Sequence, residues 1–250
     1  MKLLIIVLCI LSERYLIHRV AQKRFDWFDG YVSKMQKSFG SVSFLHNSCL
    51  QLLLLLIPVV FIVWLLFYLI GGIVFGFGAL LLNFFIFYYC IGTENVFYPV
   101  TDTTAATDEN TQSGHYLARV NSNLFAPIFW FVLTGALGVL IYRLLTLCMK
   151  QVAVSSCAEK IVGLLDWITV RVTLMLYLLV GNFQRGFDYY QQTFLSRPDN
   201  NQQLLSNGGL LAARTEESEV VTLPNAQRLV EHALIVFLVL IALFTLVSWL

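Results

Sequence analysis

The fold class this sequence predicts is all-α: a polytopic transmembrane bundle of about 4–6 hydrophobic helices with an amphipathic interfacial helix near its N-terminus. Two observations carry the prediction. Of 250 residues, 58% are hydrophobic and only 12% charged, with a mean hydropathy of +0.74, whereas soluble domains carry roughly 25% charged residues. Apolar runs near twenty residues also recur, long enough to cross a hydrocarbon core of roughly 30 Å. A net charge of +1 leaves no basic surface for nucleic acid, and no zinc-finger, phosphate-loop or dinucleotide spacing occurs. Residues 1–250 read as a single membrane domain whose first partner is the lipid bilayer.

Met1-Lys2 and Leu3 to Leu11 resemble the start of a signal peptide, but no small-x-small cleavage site follows. Residues 1–17 therefore read as a retained hydrophobic helix with Glu13 and Arg14 near its inner end. Over 20–39, Ala21, Phe25, Phe28, Val32, Met35 and Phe39 share one helical face, while Lys23, Arg24, Lys34 and Lys37 fall away from it. Two readings stand: a helix lying on an anionic membrane surface, or one packed on the bundle. Gly30 is its weak point.

Residues 50–91 predict a transmembrane hairpin, Leu50 to Ile70 and Ile73 to Ile91, turned by Gly71-Gly72. Gly72 and Gly76 add small residues at the spacing that lets helices approach in lipid. The polar segment 93–123, with Glu94, Asp102, Asp108 and Glu109 ahead of Arg119, reads as a solvent loop. Residues 124–181 supply two further hydrophobic helices, Leu124 to Leu147 and Ile161 to Gly181, the first with a Thr134/Gly138 small-residue pair. The segment 184–223, rich in Gln, Asn and Glu and holding Asn207-Gly208-Gly209, reads as an extramembrane region of low order. Thr222-Leu223-Pro224 starts a C-terminal transmembrane helix, 224–250.

Five cysteines, Cys9, Cys49, Cys90, Cys148 and Cys157, stand singly beside apolar stretches and read as packing residues. The four histidines form no His-x-x-x-His pair, so neither a metal nor another cofactor is implied. Orientation follows from Lys and Arg near helix ends. The six between Arg14 and Lys37 put that segment inside. Successive crossings then place 94–123 inside and Arg143, Lys150 and Lys160 outside, all three against the rule. The 184–223 segment is inside if Ile161 to Gly181 spans, and outside if that helix is re-entrant.

The candidate site lies in this last helix. Asp166 and Arg171 sit within an apolar run, where an unpaired charge costs roughly 2.5–3.5 kcal/mol on insertion scales. Thr169, Thr173 and Tyr177 share the Asp166 face, whereas Arg171 is rotated about 140° away. One reading is a polar groove between helices, completed by Glu13, Arg14, Asn121 or Asn123. The other is a structural network in which these groups satisfy one another.

Glu13-Arg14 after a short hydrophobic start, Phe125-Ala126-Pro127-Ile128-Phe129-Trp130 opening a helix, and Leu165-Asp166-Trp167-Ile168-Thr169-Val170-Arg171 leading to Tyr177 and Gly181 together resemble the AmpE family of bacterial inner-membrane proteins, which belongs with the CobD/CbiB membrane proteins. The resemblance implies a multi-pass regulatory or signalling protein linked to β-lactamase induction and cell-wall recycling, hence to the response to antibiotic. It implies another membrane or cytosolic regulatory protein, or a peptidoglycan-derived ligand, as partner. A nucleotide role suggested for the family is not carried over, because Gly71-Gly72 and Gly208-Gly209 lack a following Lys-Ser or Lys-Thr. The sister branch, adenosylcobinamide-phosphate synthase, offers an enzymatic alternative. Its acidic cluster ahead of the Ala-Pro pair is replaced here by Ala118, Arg119 and Ser122, so catalysis is not expected. A transporter of a small polar, cell-wall-derived solute is the third reading, and no internal repeat or paired broken helix supports it.

Overall fold

Long apolar runs become the longest helices of the computed structural model, which describes residues 2–15, 25–39, 47–70, 77–91, 96–97, 109–214 and 220–247. The Gly71-Gly72 turn with Gly76, the acids Glu94, Asp102 and Asp108, residues Ala21, Lys23 and Arg24, and the Glu216–Glu219 run lie outside the described residues. Every regular element among the described residues is helical, and the protein is an all-α membrane helix bundle. Among the described residues, three helices are long and apolar enough to cross a membrane: α3 (Ser48–Ile70), α8 (Ser155–Val180) and α11 (Leu223–Val247). Two shorter apolar helices, α4 (Phe77–Cys90) and α7 (Ala136–Cys148), accompany them. The chain packs as two units, residues 1–95 with 127–162, and residues 96–126 with 163–250.

In the first unit α1 (Lys2–Tyr15) packs against α4, and Cys9 Sγ reaches Phe84 O at 3.9 Å. The amphipathic α2 (Asp26–Phe39) buries Phe28 and Val32, and Tyr31 donates to Leu55 O at 3.1 Å. That segment therefore uses its apolar face for packing within the unit. Along α3, side chains such as Phe61, Ile62 and Leu69 are more than half exposed, the pattern of a lipid-facing helix. Its interior Pro58 removes one backbone donor, which spanning helices tolerate.

The helix expected over Leu124–Leu147 is instead broken. Gly135 has φ +80°, a left-handed conformation that glycine alone adopts freely. It separates α6 (Ala126–Thr134) from α7, helices of 9 and 13 residues. α6 ends a helical run that is continuous from Glu109 to Thr134, whereas α7, about 20 Å long, falls short of a bilayer core. Phe131 of α6 packs with its ring tilted 32° and centred 4.3 Å from that of Phe87, and Arg143 of α7 donates from Nε to Cys90 O at 2.7 Å. Both halves thus engage the end of α4.

Cys49 and Cys157 form a disulfide across a separation of 108 residues. This corrects two expectations. The pair are not mere packing residues, and the crossing order that put Cys49 inside and Cys157 outside cannot hold for two bonded sulfurs. The break at Gly135 is the reason, since the segment counted as one uninterrupted crossing is interrupted there. Gln151 also bonds Asp29 at 2.7 Å, bringing α2 to the same end as the turn before α8.

The second unit contains three helices where loops were expected. Residues 109–120 form α5 (Glu109–Val120), which continues through a π turn, Asn121–Phe125. Within 184–223 lie α9 (Phe183–Thr193), a 3₁₀ turn over Pro198–Asn200, and α10 (Asn201–Ala213). The reason is the small side chains on their buried faces. Gly114 of α5 meets Ser206 and Leu210 of α10, and a Cβ at Gly209 would stand 3.0 Å from Leu117 Cδ1. Such contact of a glycine backbone with the facing helix's side chains gains dispersion energy without a conspicuous apolar stripe. The α11 helix opens with Thr222 O accepting from Asn225 and Ala226, each at 3.1 Å, and with Pro224 in its first turn.

Candidate functional site

The second unit carries two buried polar clusters on neighbouring faces of α8. The first joins α8 to the π turn. Thr173 Oγ1 donates to Asn121 Oδ1 at 2.8 Å, Asn121 Nδ2 donates to Thr169 Oγ1 at 3.3 Å, and Thr169 Oγ1 donates to Asp166 O at 3.3 Å. Asn121, Thr169 and Thr173 are nearly inaccessible. Two turns further along the Asp166 face, Tyr177 is fully buried and its hydroxyl donates to Leu117 O at 3.2 Å. Phe125 packs edge-on against the Tyr177 ring at 5.8 Å. The π turn matters here, because one extra residue per turn rotates Asn121 and Asn123 inward, where both are buried.

The second cluster centres on Arg171. Its guanidinium makes five hydrogen bonds: Nε to Phe194 O at 2.8 Å, Nη1 to Trp167 O at 2.8 Å and to Asn201 Oδ1 at 3.1 Å, Nη2 to Ser196 O at 3.0 Å and to Ser196 Oγ at 3.1 Å. Every N–H of the group is used. The cation also stands 4.1 Å from the Trp167 ring centroid, and Trp167 Nε1 donates to Ser196 O at 3.0 Å. Asn201 closes the cluster with Nδ2 on Gly163 O at 2.9 Å. Arg171 thus fastens the turn between α9 and α10 onto α8, with neutral acceptors in place of a carboxylate. Nearby Tyr190 has its phenol pKa pushed up by burial, against the lowering effect of the Arg171 charge.

The structure therefore brings Asn121, Thr169, Thr173 and Tyr177 to one side of α8 and Arg171 to another, the separation that their spacing predicts. Asp166 is half-buried, and its carbonyl enters the threonine chain. Glu13 and Arg14 belong to the first unit, Glu13 buried and Arg14 exposed. Sequence reasoning did not find Ser113, buried on α5 and bonded to Val221 O at 2.7 Å, nor Tyr116, whose hydroxyl donates to Val96 O at 3.0 Å. Burial, reinforced by the Glu231 charge, pushes the Tyr116 phenol well up, so it remains a donor. The amphipathic period of Ser113, Tyr116, Leu117 and Val120 is the signal that identifies both.

A helical bundle with spanning helices and polar side chains locked between them defines a membrane protein whose buried groups bind its own backbone. The model of the family described as regulatory signalling modulator protein AmpE matches residues 115–250. That match covers more than half of the chain, and the protein belongs to the AmpE family. No curated protein and no solved structure matches it.

Proposed function

We propose that this chain is a multi-pass inner-membrane modulator that couples cell-wall recycling to β-lactamase induction. The observation that carries the reading is the AmpE match over 115–250, a range that includes Asn121, Asp166, Thr169, Arg171, Thr173 and Tyr177. In this reading the Asn121–Thr169–Thr173 chain and the Arg171 cluster hold the second unit in one arrangement. A regulatory partner in the membrane or cytosol, or a peptidoglycan-derived ligand, acts by favouring or disfavouring that arrangement, which requires different affinities for two states.

Orientation belongs to the same proposal. The Asp29–Gln151 bond and the Cys49–Cys157 pair gather Lys34, Lys37, Lys150 and Lys160 toward one end of the first unit, and the positive-inside rule makes that end cytoplasmic. The test is β-lactamase induction by a β-lactam in cells lacking the gene, with rescue by wild type or by Asp166→Asn at matched membrane levels. Altered induction restored only by wild type supports the role and places Asp166 in it. Unchanged induction on deletion removes the reading.

A further inference from the structure

A groove of about 430 Å³ opens in the second unit between the end of α8, the end of α10 and the first turns of α11. Asn182, Arg214, Asn225, Arg228 and His232 supply its polar wall, and Val180, Ala212 and Leu229 part of its apolar one. No carboxylate lines it among the described residues.

The groove is built by backbone contact. Gly181 lies so close to α10 that a Cβ there would run into the Ala212 carbonyl oxygen, and Asn182 N–H donates to that same oxygen at 2.8 Å. This approach fixes Arg214, two residues beyond Ala212, at the rim. Arg214 leaves α10 in an extended conformation, and its Nε is buried with no hydrogen-bond partner among the described residues. On α11, Asn225, Arg228 and His232 recur at offsets of 3 and 7 and so share one face. The first turn of α11 adds the partial positive charge of a helix N-terminus. Two arginine cations, the exposed Arg228 and Arg214 with its buried Nε, and an oriented helix end therefore line one concavity.

We infer that this groove binds a phosphate-bearing anion carrying an apolar moiety. A tetrahedral phosphate offers oxygens in several directions at once, which suits two arginines on different segments better than a planar carboxylate held by one of them. The apolar side of the groove covers the ester. The groove lies where α8 ends and α11 begins, both helices of spanning length, so a phospholipid headgroup and a soluble organic phosphate present the same chemistry to it.

The experiment uses the full chain purified in a zwitterionic detergent. Binding is read as the rise in thermal midpoint with inorganic pyrophosphate, and separately by native mass spectrometry with phosphatidylglycerol against phosphatidylcholine. The variants are Arg214→Gln, Arg228→Gln and Lys150→Gln, the last an exposed lysine of the first unit. Loss of one charge-assisted contact weakens the probe's dissociation constant at least tenfold in either arginine variant and leaves Lys150→Gln unchanged. Retention of phosphatidylglycerol but not pyrophosphate identifies a headgroup site, the converse a site for a free phosphate, and either supports the inference. Arg228→Lys, which keeps the charge and loses the fork, gives intermediate affinity and guards against a variant that fails to fold. The acidic run Glu216-Glu217-Ser218-Glu219 follows Arg214 closely in the sequence. If those carboxylates occupy the groove, wild type takes neither probe. That outcome, or binding indifferent to both arginines, overturns the inference.

Discussion

Replacing Arg171 by lysine keeps the charge and dismantles the cluster around it. Five N–H groups reach five acceptor atoms on Trp167, Phe194, Ser196 and Asn201. An ammonium has three donors at one point, so at least two acceptors lose theirs. A hydrogen bond to a charged group contributes about 1.5–3 kcal/mol. Part of that returns because Ser196 O keeps Trp167 Nε1 and because the turn is partly open to water. The net expectation is about 2–3 kcal/mol, which at 1.4 kcal/mol per decade is roughly a 30- to 150-fold rise in local opening. Hydrogen exchange reads it directly. Peptides covering 194–201, whose Ser196 and Asn200 amides bond Thr193 O and Arg197 O, should exchange faster by that factor. Peptides of α11 around Ala226–Leu234 should change far less. Exchange over 194–201 within twofold of wild type, in a variant that still folds, refutes the latch.

Three other perturbations separate the parts of the account. In a double-mutant cycle of Asn121→Ala and Thr173→Val, the thermodynamic coupling should reach about 1 kcal/mol, with the Asn121 single variant losing about 2–4 kcal/mol; zero coupling would remove the proposed chain. Gly30→Ala, an exposed helix-interior site with nothing within 4 Å of the added Cβ, should stabilise by about 0.5–1 kcal/mol. Gly181→Ala should destabilise by about 1–3 kcal/mol, because the obstruction is backbone; unfolding midpoints that order the two the other way contradict the packing. If the Cys49–Cys157 end faces the reducing cytoplasm, alkylation of acid-quenched whole cells under denaturing conditions labels all five cysteines, and the air-purified protein only Cys9, Cys90 and Cys148. A bond already closed in cells would turn that end outward.

The parts of the fold legible in the sequence are those in which side-chain hydropathy decides the structure. Leu50 to Ile70 and Leu229 to Val247 are helices because nothing in them competes with burial in lipid, and Asp166 and Arg171 stand out because the residues around them are apolar. Helices α5 and α10 were misread because their packing uses Ser113, Gly114, Gly208 and Gly209, residues that ordinarily mark turns. Gly208 is a point of close approach instead, where a Cβ would come within 2.7 Å of Leu174 Cδ1. The five acceptors of Arg171 were invisible for another reason. Four are backbone carbonyls or an Asn side chain, and a carbonyl leaves no trace in residue identity. The disulfide joins residues 108 apart in a chain with an odd number of cysteines, and spacing alone cannot select that pair. The break at Gly135 was hidden by the apolar residues on both sides of it.

The central claim is that this chain modulates a signal through the polar clusters of its second unit, and β-lactamase activity is the direct readout. Activity would be measured with and without a β-lactam inducer in cells lacking the gene and in cells carrying wild type, Asp166→Asn or Arg171→Lys at equal membrane levels. The account predicts that deletion changes induction, that wild type restores it, and that both variants fail to restore it fully. Induction indifferent to the gene would contradict the account.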